Sequence, residues 1–98
     1  MNDVFKALAD PTRRQVLQIL KAGPQSAGQL AQGFPASNAT LSAHFAVLKQ
    51  AGLVTTEKSG KSIIYHLNVS VLEEALLGFS EAFGFGRAAA DINSETPQ

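Results

Sequence analysis

A chain of 98 residues, 45% of them hydrophobic, makes one domain with a small core; such a domain buries roughly 60–70% of its unfolded surface, so a partner subunit would add to its stability. Cysteine is absent, which excludes disulfides and thiolate metal sites and fits a reducing, cytoplasmic setting; no apolar run nears the ~20 residues of a membrane span, and Met1-Asn2-Asp3 lacks a signal peptide's basic start, so membrane insertion and export are not expected. The formal net charge of zero argues against a simple basic nucleic-acid binder, yet residues 11–67 hold Arg13, Arg14, Lys21, Lys49, Lys58 and Lys61 against Glu57 alone, while Glu73, Glu74, Glu81, Asp91 and Glu95 follow against Arg87.

In chain order, Val4, Phe5 and Leu8 mark a short amphipathic helix. Asp10-Pro11 places an N-cap residue before a proline at the first helical position, and the second helix carries Val16, Leu17 and Leu20 to a stop at Gly23-Pro24. Ser26 with Gln29 forms a capping box for a third helix that carries Leu30 and ends near Gly33. Ser37 caps a fourth, with Leu41, Phe45 and Leu48 on its inner stripe and Gly52 at its end. The period then changes: 54–58 and 62–67 are β-branched and aromatic runs joined through Ser59-Gly60-Lys61, a hairpin with Ile63, Tyr65 and Leu67 on one face. Ser70 with Glu73 is a further capping box, opening a fifth helix with Leu72, Leu76, Phe79 and Phe83 on one stripe. Order is expected to fade near Gly84, so that 1–84 form the domain and 85–98 a mobile C-terminal extension.

The fold class is mainly α with a small β-hairpin, in the order α-α-α-α-β-β-α. Helices three and four stand at helix-turn-helix spacing, and the hairpin after them is what a winged variant adds. On the fourth helix Ala39, Ala43, Ala46 and Gln50 lie opposite the inner stripe, bordered by Asn38, Ser42 and Lys49. Small residues there allow close approach to a major groove. Asn38 can pair with adenine, Thr40 and Ser42 can bond phosphate or bases, and alanine methyls can pack on thymine methyls. With no arginine on this helix, bidentate guanine readout is missing, and an A/T-rich operator is expected. The competing reading is that alanine simply forms an exposed helix face well.

The segments "FKALADPTRRQVLQIL" (5–20), "LSAHFAVLKQAGLV" (41–54) and "GKSIIYHL" (60–67) resemble the ArsR/SmtB family of winged helix-turn-helix repressors, in particular its small non-metal autorepressors. The resemblance implies a homodimer whose first and last helices form the interface, a fourth helix that enters the major groove, and a wing that reaches the flanking backbone or minor groove. It therefore implies double-stranded DNA, an inverted-repeat operator, as the partner. DNA contacts are expected from Asn38, Ala39, Thr40, Ser42, Ala43, His44, Lys49, Lys58 and Lys61, and the dimer interface from Val4, Phe5, Leu8, Leu72, Leu76, Phe79 and Phe83. The cysteine motif of the metal-sensing branches is replaced by "SAGQLAQ", and the last helix has no histidine, so neither metal nor cofactor is expected. Ala43 stands where relatives often carry His or Arg.

Other readings stay open at this point. His44 reads either as a packed histidine bonding backbone or phosphate, or as a metal ligand or base; the only other histidine is His66, and no nucleophile is paired with either. Arg13 and Arg14 read equally as phosphate contacts or as partners of Asp10. Phe79 and Phe83 could be intrachain core. A repressor gated by a small apolar ligand between the terminal helices, a metal held by Glu73, Glu74 and Asp91, a protein antagonist, and a winged helix used only for protein contacts are the rivals. No convergent acid, base and nucleophile supports an enzyme.

Overall fold

The computed structural model describes residues 2–84, so the expected extension at 85–98 lies outside the described residues. The chain runs α1 (Asn2–Leu8), α2 (Pro11–Ala22), β1 (Gln25–Ser26), α3 (Ala27–Gln32), α4 (Asn38–Gln50), β2 (Val54–Ser59), β3 (Ser62–Leu67) and α5 (Val69–Phe83).

Local chemistry accounts for most helix starts. An Asp10 carboxylate oxygen accepts from the Arg13 backbone N–H at 3.0 Å, with Pro11 at the first helical position of α2. At α3 the Gln29 N–H donates to Ser26 Oγ at 3.1 Å while the Ser26 N–H donates to Gln29 Oε1 at 2.9 Å, closing the expected capping box. Ser37 Oγ accepts from the Thr40 N–H at 3.2 Å at the start of α4. The fourth start differs from expectation. The box of Ser70 and Glu73 does not form: α5 begins at Val69, with Asn68 in the cap position and no side-chain cap bond. The Asn68 N–H donates to Leu53 O at 2.8 Å, and this backbone tie turns the chain into the helix earlier, leaving Ser70 within the first turn.

The hairpin is part of a three-stranded antiparallel sheet in the order β1-β3-β2, where the sequence pointed to two strands. Register runs from Val54↔Leu67 to Ser59↔Ser62 across β2 and β3. On the other edge, Gln25 and Ser26 pair with Tyr65 and Ile64. A strand of two residues carries no readable alternation, and only its partner forty residues away reveals it. Gly60, at φ +61°, and Lys61, at negative φ, form the pattern of a type II′ turn, which matches the twist of the flanking strands.

The core gathers Val16, Leu17 and Leu20 from α2, Leu30 from α3, Leu41, Phe45 and Leu48 from α4, and Leu53 and Val54 beyond it. Each such large side chain contributes roughly 1.5–3 kcal/mol by leaving water. Tyr65 meets the Phe45 ring at 5.0 Å and Leu67 packs on the core. Ile63, expected on the same face, is 38% exposed, because the hairpin runs past the body of the domain toward its tip. In α5 only Ala75 is buried, so this helix leans on the rest of the chain along one narrow edge.

Candidate nucleic-acid interface

The helix α4 has one dry face and one open face. Leu41, Phe45 and Leu48 are at most 7% exposed, and they hold the helix to α2, β2 and the core. Around the other side Asn38, Ala39, Thr40, Ser42, Ala43, Ala46, Lys49 and Gln50 are all exposed. Among the described residues, therefore, no element of the chain covers the open face. The Ser37 hydroxyl donates to Thr40 Oγ1 at 3.0 Å, so Thr40 also serves the cap.

Beside the first turns of α4 lies a groove of about 260 Å³ lined by Ala27, Gly28 and Ala31 of α3, Asn38, Leu41, Ser42 and Phe45 of α4, and Tyr65 of β3. It sets the outward polar groups of α4 and a strand of the wing along one depression. Partial burial pushes the Tyr65 hydroxyl above its ordinary value of 10.0, so it stays protonated and able to donate. Sequence reading placed Tyr65 only on the hairpin's inner face; its place at the groove follows from the α4–β3 packing.

At the wing, Lys58 and Lys61 flank Gly60 at the exposed tip. The one acidic residue nearby, Glu57, accepts from His66 Nε2 at 2.6 Å across the strands. Among the described residues Lys49, Lys58 and Lys61 make no ion pair, which leaves three ammonium groups for a polyanion.

His44 takes the packed position, at the edge of the inner stripe of α4. Its ring turns toward the start of α2, where Nδ1 lies 3.1 Å from Arg13 Nη1 and Nε2 lies 3.8 Å from an Asp10 carboxylate oxygen. With its side chain 18% exposed it belongs to the junction of α1, α2 and α4, not to the open face. Asp10 is held below its ordinary carboxylate value, chiefly by the Arg13 backbone bond, which outweighs the opposing effect of lost solvent. The two arginines are likewise spoken for: Arg13 donates to Lys6 O at 2.9 Å and Ala7 O at 2.8 Å, and Arg14 donates to Leu8 O at 2.8 Å. Both close the C-terminal carbonyls of α1.

Of the residues expected at a subunit interface, Val4 is only 5% exposed and belongs to the protomer's own core, because it lies on the side of α1 that meets α4 and α5. Phe5, Leu8 and Leu72 are half-buried against that core, and Phe5 meets the Phe79 ring at 5.4 Å. Leu76 is 47% exposed, Phe79 38% and Phe83 66%. Sequence reading passed over Val69, at 47%, and Leu77, at 59%. Val69 was findable: with it the stripe Val69, Leu72, Leu76, Phe79 and Phe83 alternates spacings of three and four, the a/d repeat of a coiled-coil seam. Among the described residues no three His, Asp or Glu side chains gather to hold a metal; Glu73 and Glu74 are exposed on α5, and Asp91 lies outside the described residues.

A family profile described as a helix-turn-helix domain matches residues 8–57, which spans α2 to the middle of β2. The chain is 43% identical over 76 residues to the transcriptional repressor SdpR of Bacillus subtilis (strain 168), covering 78% of this chain and 84% of that protein. It belongs to the ArsR/SmtB family of winged-helix transcriptional repressors. The repressor is also 37% identical over 73 residues to the arsenical resistance operon repressor of Staphylococcus xylosus, with 74% of this chain and 70% of that one aligned. Among solved structures it resembles an ArsR-like transcriptional regulator from Rhodococcus sp. RHA1, at a TM-score of 0.78 and 30% identity, over 98% of this chain and 89% of the other. The repressor is thus a DNA-binding transcriptional regulator and not an enzyme. Among the described residues no helix is long and apolar enough to cross a membrane.

Proposed function

We propose that the repressor is a homodimer that binds an inverted repeat near its own promoter and blocks polymerase by occupying it. The observation that carries this reading is the open, small-residue face of α4 beside a groove shared with the wing. A helix enters a major groove only if its outer side chains leave room, and Ala39, Ala43 and Ala46 leave room while Asn38, Ser42 and Lys49 border them with polar groups. Lys58 and Lys61 at the wing tip reach phosphates beyond the groove. The absence of arginine on α4 favours A/T-rich half-sites.

The a/d seam of α5 supports the dimer. Val69, Leu76 and Phe83 fall seven residues apart, on one line of the helix, and each is at least 47% exposed. A second α5 laid along that line, with Phe5 and Leu8 at its margin, would remove this apolar surface from water. Two copies of α4 set one DNA turn apart, about 34 Å, would then read the two half-sites together. Some relatives are named for arsenical resistance, but this chain holds no cysteine, so a thiophilic inducer finds no thiolate in it.

A second reading keeps the class and adds a ligand. A recess of about 280 Å³ between α1, the end of α4 and α5 is lined by Val4, Ala51, Val71, Glu74 and Ala75, where a small apolar molecule would sit against both terminal helices. The test of the main reading is a mobility-shift titration of the protein's own upstream region across a salt series. Binding should fall steeply with salt. Failure to shift any fragment of that region, or a salt-independent shift, refutes it.

A further inference from the structure

The cluster at Asp10, Arg13 and His44 lies outside the DNA-facing surface, yet one of its members stands on α4. A guanidinium only donates, so His44 Nδ1 carries the lone pair that accepts from Arg13 Nη1 at 3.1 Å, and the ring's hydrogen sits on Nε2, toward Asp10. The same planar guanidinium donates through Nε to Ala7 O at 2.8 Å and through Nη2 to Lys6 O at 2.9 Å. One rigid fork therefore grips the end of α1 with two donors and the flank of α4 with a third. Elsewhere α1 meets α4 through Val4, Ala7 and Val47, in the core or against it, beside a crevice lined by Asp3, Lys6 and Gln50 in which, among the described residues, no side-chain hydrogen bond joins the two helices; apolar packing lacks direction and tolerates sliding. A second directional tie holds the turn that follows α4: Asn68 N–H donates to Leu53 O at 2.8 Å, and a Cβ placed at Gly52 would lie 3.7 Å from a Val71 methyl.

We propose that the Arg13–His44 hydrogen bond is the strut that sets the pitch of α4 relative to α1, and that His44 is a positioning residue for DNA binding, not a DNA contact. This rests on the dimeric DNA-binding reading above. If α1 and α5 carry the twofold contact, the angle at which each α4 meets its half-site passes through this strut and through the Asn68–Leu53 tie. Polar groups on α4 that must meet base edges within hydrogen-bond range tolerate little tilt.

The test is a mutant cycle on the full chain, with operator affinity measured at temperatures where circular dichroism shows every variant folded. His44→Leu keeps bulk and removes the acceptor. Arg13→Lys keeps the charge at the end of α1 and loses the fork. His44→Asn places its Oδ1 where Nδ1 stood. The expected result is an affinity loss of about tenfold for His44→Leu, no further loss when His44→Leu is added to Arg13→Lys, and recovery to within about twofold in His44→Asn. Losses that multiply in the double variant, or His44→Asn as weak as His44→Leu, overturn the strut and point to direct contact by the ring. The same cycle read on thermal unfolding needs no DNA and reports the bond itself; coupling there with affinity unchanged makes the bond structural only and also overturns the proposal. If the wild-type protein shifts no fragment at all, the DNA-binding dimer fails first and takes the strut's role with it.

Discussion

Replacing Lys61 by alanine tests whether the wing meets the DNA backbone. Lys61 sits in the second position of the Gly60-Lys61 turn, exposed and outside any ion pair among the described residues, so its removal leaves the fold's core and hydrogen bonds intact. Each phosphate that a lysine neutralises contributes about 0.9 to the slope of log affinity against log salt. A dimer with both wings seated would lose two such contacts, so the slope should flatten by about 1.8. Between about 50 and about 200 mM salt, a fourfold change, the wild-type advantage over Lys61→Ala should therefore shrink by about 12-fold, or by about 3.5-fold if only one wing touches. Fluorescence anisotropy with a labelled operator duplex, titrated at several salt concentrations, gives both slopes directly. Parallel lines for the two proteins would refute the phosphate contact, whatever the offset between them.

Leu76→Glu should convert the proposed dimer to monomers in analytical ultracentrifugation while leaving helix content unchanged, because Leu76 is 47% exposed in the protomer and lies on the α5 seam. Asn38→Ala should change which sequences are preferred in a selection from random duplexes, at about 1–3 kcal/mol for the base pair it reads, while leaving the salt slope alone. Ser37→Ala removes the acceptor for the Thr40 N–H and should lower stability by about 0.5–2 kcal/mol in chemical denaturation. Asp10→Asn keeps a capping side chain and removes the titration. The Asp10 pKa is lowered on folding, so its carboxylate stabilises the fold above the ordinary value of 3.8, and that contribution is lost as pH falls below it. The difference in melting temperature between wild type and Asp10→Asn should hold steady above that pH and drift toward the variant's favour below it.

Much of the molecule was legible before any coordinates because its signals are local. Asp10, Ser26 and Ser37 each cap the helix that follows within three residues, and cap chemistry depends on little else. The inner stripe Leu41, Phe45 and Leu48 is a matter of helical period, and the tight turn at Gly60 is a matter of backbone sterics. Even the open face of α4 follows from that period once the buried side is known.

What escaped the sequence depends on contacts between distant segments. Ser70 and Glu73 had the spacing of a capping box, yet the backbone tie between Asn68 and Leu53 started α5 two residues earlier than that box requires. Val4 read as interface because amphipathic spacing reports that a side chain is apolar, not whether its own chain or a partner's will cover it. The strand at Gln25 and Ser26 exists only through its pairing with β3. His44 and Arg13 stand thirty-one residues apart, and neither residue type announces the other; the bond between them appears only when α2 and α4 pack. Sequence by itself determined where helices start, which of their faces are oily and where the wing turns, since these are settled within a few residues by sterics and hydrogen bonding. Tertiary structure alone decided which polar side chains are left exposed on α4 and the wing and which are consumed holding α1, α2 and α4 together, because a donor's partner is chosen by three-dimensional packing.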